Sequence, residues 1–321
     1  MNKLKKGTNT LKPYPELKPH HTEMLKVGDL HEIYVERSGK INGVPVVFLH
    51  GGPGSATNPN HRRYFDPDFF DIFLFDQRGC GKSIPSGAIE QNTTSDLIND
   101  IRTIRARFDI SRKMVVFGGS WGSALAVAYA KAYPNDIEAL VLRGVFLASS
   151  DEVNWFTNDL RRFMPEAHHQ MSDGLDGDLV SKYFEMVNSA DKSKASRAAS
   201  RWLEYEAQSM MLGKVRSKSS GKLLSDDADI AKCRVQLHYL MNGCFFSPSE
   251  LLTAAKTIET PVAIVQGELD MICPPINAYN LHNALPNSTL KIIADGGHNA
   301  WEPNIATVLV SEMEALKQRL R

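Results

Sequence analysis

The sequence predicts an α/β fold: a mostly parallel central sheet covered by helices on both faces, with a helical domain inserted into it. Three observations predict it. Short apolar runs alternate with helical patterns from about residue 44 to 142, and again from 261 to the end. Between about Phe146 and Pro261 the strand-like runs vanish, and segments rich in Trp, Phe, Met and charge replace them. Glycine-rich turns follow the predicted strands, at the carboxyl ends where open α/β sheets bind ligands. The division expected is 1–145 with 256–321 as one domain and 146–255 as a helical cap.

The chain has 321 residues, room for two average domains or one large domain with an insertion. Hydrophobic residues make up 42% and charged residues 23%, enough for a substantial core. Lys plus Arg equals Asp plus Glu at 37 each, so no basic field points to nucleic acid or acidic lipid. Cys80, Cys233, Cys244 and Cys273 form neither a C-x-x-C pair nor a zinc spacing. Reduced thiols in a cytoplasmic protein are expected. The first ten residues carry positive charge with no apolar stretch behind, so no signal peptide is expected. No apolar run is long enough to span a membrane.

Residues 1 to 25, with Pro13, Pro15 and Pro19, predict an extended surface arm. His31 to Arg37 alternates as a first strand, and Gly39 with Asn42-Gly43 marks a turn. Val44 to Leu49 is a buried strand ending in His50-Gly51-Gly52-Pro53-Gly54. Phe69 to Phe75 is another, ending in Asp76-Gln77-Arg78-Gly79-Cys80-Gly81-Lys82-Ser83; Arg78 is expected to brace loops by ion pairing. Thr94 to Phe108 spaces Leu97, Ile98, Ile101 and Ile104 as an amphipathic helix with a Thr or Ser cap. A strand begins at Met114, and the Ala-rich helix after it stops at Pro134. Ala139 to Leu142 is the next strand. The insertion holds helical segments at Glu152 to Phe163, Leu179 to Val187, Ser196 to Leu212 and Ile230 to Met241. Then come strand Val262 to Gln266, helix Asn277 to Leu285, strand Thr289 to Ile293 and a closing helix, Ile305 to Leu320.

The chemistry centres on Gly118-Gly119-Ser120-Trp121-Gly122, a G-x-S-x-G between a strand and a small-residue helix. Such a turn exposes a serine Oγ, and its flanking glycines avoid clashes with strand and helix. A serine needs a general base, and the base an orienting acid. His298 follows the last strand in Asp295-Gly296-Gly297-His298 and is the best placed of ten histidines. Asp270 is the favoured acid, with Glu268 and Asp295 as competitors; Arg143-Gly144, after the strand at 139 to 142, offers none. The oxyanion donors expected are the N–H of Trp121 and one from Gly51 or Gly52, with Gly52 preferred.

These stretches resemble the prolyl aminopeptidase (proline iminopeptidase) family of α/β-hydrolases. The likeness covers nearly the whole chain, including Tyr14-Pro15-Glu16, the cap and the segment from Gly267 to Pro274. It implies release of N-terminal proline from small peptides, with Ser120, Asp270 and His298 as triad and no metal or other cofactor. It also implies that cap carboxylates anchor the free amino terminus. Glu206, in Trp202-Leu203-Glu204-Tyr205-Glu206, takes one such position. Gln236 stands where the second glutamate is expected, so its amide oxygen is expected to accept from the ammonium without supplying charge. Weaker amine recognition, or a broader range of first residues, should follow.

Cys273 is expected to line the pocket and to make activity sensitive to bulky thiol reagents. Trp121, Trp155, Trp202 and Phe245 are expected to wall in a proline ring. The rival readings are an esterase or amidase of the same mechanism, a non-catalytic binding protein on the same scaffold, and a metallo-aminopeptidase, for which no ligand cluster is visible.

Overall fold

The computed structural model describes residues 11–212, 224–247 and 249–321. The leader expectation falls on residues 1–10, outside the described residues. Eight strands form one sheet in the order β1-β2-β4-β3-β5-β6-β7-β8. They are β1 (His21–Val27), β2 (His31–Gly39), β3 (Val44–Leu49), β4 (Phe70–Phe75), β5 (Met114–Gly119), β6 (Ile137–Arg143), β7 (Val262–Gly267) and β8 (Ser288–Ile293). β1 pairs antiparallel with β2, and β2 antiparallel with β4; every later pairing is parallel. The carboxyl ends of β3 to β8 therefore share one edge. β3, β4 and β5 are buried at every position, which is why their sequences read as continuous apolar runs.

β1 departs from the expected arm. Its side chains alternate between half-buried and exposed positions, as on an edge strand. Residues 11–19 carry no regular secondary structure. Tyr14 anchors this segment: its N–H donates to the Arg63 carbonyl at 2.8 Å, and its hydroxyl donates to Glu314.

Helices α1 (Thr94–Arg107), α2 (Trp121–Ala132), α8 (Glu250–Ala255) and α9 (Pro275–Ala284) cover one face of the sheet. α10 (Pro303–Leu320) and the turn Pro59–Tyr64 cover the other. Thr93 caps α1, accepting from the Asp96 N–H while Asp96 accepts from Thr93 in return.

Between β6 and β7 lie α3 (Ser150–Thr157), α4 (Pro165–Ser172), α5 (Leu179–Val187), α6 (Lys192–Met210) and α7 (Asp227–Met241), followed by α8. α3 stops at Thr157, and a short 3-10 turn completes the segment expected as one helix to Phe163. Most buried side chains of α4 to α7 form a core of their own around Tyr183, Trp202 and Tyr205, while Val235 and Tyr239 of α7 pack with the sheet core. Leu251, Ala254 and Ala255 of α8 pack instead with the sheet core. α7 touches the strand ends: a Cβ added at Gly54 would lie 2.4 Å from the Lys232 carbonyl. Among the described residues, no helix is long and apolar enough to cross a membrane.

Candidate active site

Ser120 sits between β5 and α2 with φ 56° and ψ −126°. The flanking glycines are sterically required. A Cβ at Gly118 would lie 2.1 Å from the Gly122 carbonyl oxygen, and one at Gly122 would lie 2.1 Å from the Leu49 carbonyl oxygen. Ser120 donates its backbone N–H to the Arg143 carbonyl at 2.8 Å, which ties the turn to the end of β6.

Ser120 Oγ lies 3.2 Å from His298 Nε2. His298 Nδ1 lies 2.9 and 2.8 Å from the two Asp270 carboxylate oxygens. A carboxylate only accepts, so Nδ1 carries the proton and Nε2 is free to accept one. Asp270 Oδ1 also accepts the N–H groups of Ile272 (3.1 Å) and Cys273 (2.8 Å), and Oδ2 accepts from Gln266 Nε2 at 3.3 Å. Asp270 and His298 are buried. The competitors Glu268 and Asp295 are both exposed. Arg143 Nη1 donates to the His298 carbonyl at 2.8 Å, so one residue steadies both serine and histidine.

Trp121 is the first residue of α2, where backbone N–H groups lack intrahelical partners. Gly51 and Gly52 both line the cavity above Ser120. Gly51 lies so close that a Cβ there would be 3.2 Å from Ser120 Cβ and from the Gly119 carbonyl. Gln77 joins the two loops: its Oε1 accepts from the Trp121 indole at 2.9 Å, and its Nε2 donates to the His50 carbonyl at 3.0 Å. His50 Nε2 accepts the Gln77 N–H at 3.0 Å, so Nδ1 donates to the Gly51 carbonyl at 2.9 Å. Burial lowers the His50 pKa and favours this neutral form. Arg78 braces the neighbouring loop, with Nε and Nη2 on Asp100 at 2.8 and 2.7 Å and Nη1 on the Gln91 carbonyl.

The cavity has a volume of about 370 Å³ and is roofed by α6 and α7. Glu206, Lys232 and Gln236 line it from those helices. Glu206 Oε1 accepts from Gln236 Nε2 at 2.8 Å, and Oε2 lies 2.9 Å from Lys232 Nζ. Burial pushes the Glu206 carboxyl up, but Lys232 and Gln236 outweigh it and hold the group below its usual range. Glu204 turns away, toward Gln208.

The structure corrects the role expected of Gln236. Its Oε1 does not face an incoming amine but accepts from the Trp202 indole at 2.9 Å. The amide bridges a group that only donates and one that only accepts, which fixes its orientation.

The expected aromatic wall is also corrected. Trp121, Trp155, Trp202 and Phe245 do not line the cavity. Trp121 and Trp202 are fully buried with their indoles engaged, and Trp155 donates to the Met271 carbonyl. The apolar wall is built from Phe146, Val153, Phe156 and Leu240. Aromatic residues in the insertion satisfied both roles equally well by composition; side-chain direction separates them.

Cys273 lines the cavity with Sγ 3.9 Å from Ser120 Oγ. Burial, then the Asp270 charge, raises its thiol well above the usual range. Three further residues contribute. Gln77 stands in the scaffold motif Asp76 to Ser83, which does not disclose what its amide bonds, and Arg143 carries no motif signal. Lys232 did give one, since it stands four residues before Gln236 and so shares its helix face. Among the described residues, no group of three His, Cys, Asp or Glu side chains is arranged to hold a metal ion.

A strand-turn-helix serine, with its histidine and acid on loops after later strands, defines an α/β-hydrolase. Residues 44–304 match the family model for the alpha/beta hydrolase fold, so the chain belongs to that family. Within it, the chain is 42% identical to the proline iminopeptidase of Arabidopsis thaliana over 95% of this chain and 82% of that one. It is 36% identical to the proline iminopeptidase of Neisseria gonorrhoeae over 96% and 99% of the two chains. These relatives place it in the proline iminopeptidase family. Among solved structures, it resembles a proline iminopeptidase of Mycobacterium smegmatis with a TM-score of 0.62 at 18% identity, covering 94% of this chain and 100% of that one. A putative lipase of Acinetobacter baumannii AYE gives a TM-score of 0.63 at 18% identity, covering 95% and 93%. Likeness at that identity speaks for the fold alone.

Proposed function

We propose that this chain is a serine aminopeptidase that releases N-terminal proline from small peptides. One observation carries the reading: the hydrogen-bonded series Ser120–His298–Asp270 opens into the same cavity as the ionised carboxylate of Glu206. The first supplies a nucleophile and the second a partner for a free amine. The names of the relatives support the choice of substrate.

In the reaction, Ser120 Oγ attacks the carbonyl carbon of the first residue while His298 Nε2 takes its proton. The N–H groups of Trp121 and Gly52 hold the oxyanion, with Gly51 giving clearance. His298 returns the proton to the leaving amine, and the scissile C–N bond breaks. A water molecule, deprotonated by the same histidine, then attacks the acyl carbon; the ester bond to Ser120 Oγ breaks, Oγ takes the proton back from His298, and proline leaves. Asp270 holds the tautomer and stabilises the imidazolium. The helices of 146–255 act as a cap, with Glu206 orienting the ammonium. Four unpaired cysteines fit a reducing compartment, and we place the protein in the cytoplasm.

A panel of Pro-, Ala- and Leu-arylamides, N-blocked Pro-arylamide and simple esters tests the reading. Free Pro-arylamide should lead, N-blocking should abolish turnover, and Ser120→Ala should be inactive. Turnover of esters with no aminoacyl arylamide hydrolysed would overturn the substrate and keep the mechanism.

A further inference from the structure

We propose that Lys232 is a tethered competitor for the substrate's ammonium group and thereby limits affinity for free amino termini. The proposal rests on the aminopeptidase reading. Glu206 has two side-chain partners, and they differ in kind. Gln236 is locked, because the buried Trp202 indole holds its other end. Lys232 is not: among the described residues, Glu206 is the one hydrogen-bond partner of its ammonium. Its side chain is 31% exposed, and its four-carbon stem lets the charged head swing into water.

An N-terminal amine carries the same charge as the lysine and donates the same kind of hydrogen bond. It therefore seeks the oxygen that Lys232 already holds. If Lys232 stays, two cations share one carboxylate and repel; if it leaves, the Lys232–Glu206 pair is lost. Either route weakens amine binding. Lys232 meanwhile keeps the buried Glu206 ionised before substrate arrives, so the anchor is charged but occupied.

The test measures KM for Pro-arylamide in the parent and in Lys232→Met. Alongside it, calorimetry follows binding of prolinamide and of its uncharged isostere cyclopentanecarboxamide, in a Ser120→Ala background. Lys232→Met should lower KM for Pro-arylamide and the Kd of prolinamide about two- to fivefold, the scale of a partly exposed ion pair. The Kd of the isostere should stay put, which a general loosening of the cavity would not allow. An unchanged or raised prolinamide Kd would overturn the proposal and make Lys232 a simple prop for Glu206. Should Lys232→Met fail to fold, Lys232→Gln removes the charge with a polar side chain and carries the same expectation. Calorimetry needs no turnover, so a parent that ignores Pro-arylamide would overturn the aminopeptidase reading alone.

Discussion

Ser120 occupies backbone angles that cost a non-glycine residue of order 1–3 kcal/mol. Its neighbours over-determine that conformation through the Arg143 carbonyl and the glycine clearances. His298 depends in the same way on Asp270. Asp270→Asn should cut kcat by about 10⁴-fold with the melting temperature little changed, because an amide can stabilise the wrong tautomer. Steady-state kinetics beside a thermal melt checks this. Cys273 gives a second expectation. A bulky thiol reagent should inactivate slowly at neutral pH and faster as pH rises, since its thiol is held protonated. Cys273→Ser should abolish the effect. His61, stacked on Phe48, gives a third: burial lowers its pKa from 6.5 to about 3. Below pH 6.5 the unfolded chain takes up a proton that the folded state refuses. Stability therefore falls as pH drops through that window, by up to about 1.4 kcal/mol per pH unit. His61→Phe should flatten this acid limb in urea titrations. The residues of the Ser120–His298–Asp270 series were legible because each follows a predicted strand in the expected chain order. Gln236 misled because sequence gives the face of a helix but not which end of an amide points where.

At the scale of elements, the site is a set of loops pinned to one another at the carboxyl edge of the sheet. The loop after β4 matters most, because Gln77 ties the indole of Trp121 to the backbone of His50. Removing that tie leaves the donors in place but loosens their spacing. Gln77→Leu should therefore lower kcat more than it raises KM, by about 1–3 kcal/mol in barrier. The β5-α2 turn is less forgiving. Gly122→Ala sets a methyl against the Leu49 carbonyl and should destabilise the fold by about 3 kcal/mol or more, read as a lowered urea midpoint. The inner strands were legible because burial on both faces leaves an unbroken apolar run. β1 was not, because an edge strand with polar outward positions looks like any solvated segment. Two short helices also escape: the 6 residues of α8 are too few for a period to show, and α4 buries only Ala167 and Met171.

For the whole molecule, the proposed mechanism takes its reacting groups from the loops at the strand ends and its specificity from the inserted helices. The cavity lies where the two meet, with Ser120 and His298 on one side and Glu206, Lys232 and Gln236 on the other. That division was legible in outline, since strand patterns stop after β6 and resume at β7. The side chains facing across the gap were not, because their meeting depends on how α6 and α7 lie over the strand ends. In the proposed mechanism, the N-terminal prolyl group passes through an ester on Ser120. The direct measurement is acid-quenched peptide mass mapping during turnover of a prolyl aryl ester, with Ser120→Ala as control. The peptide containing Ser120 should gain one prolyl group, rising and falling with turnover and absent from the control. Turnover with no adduct, or an adduct on any other residue, would contradict it.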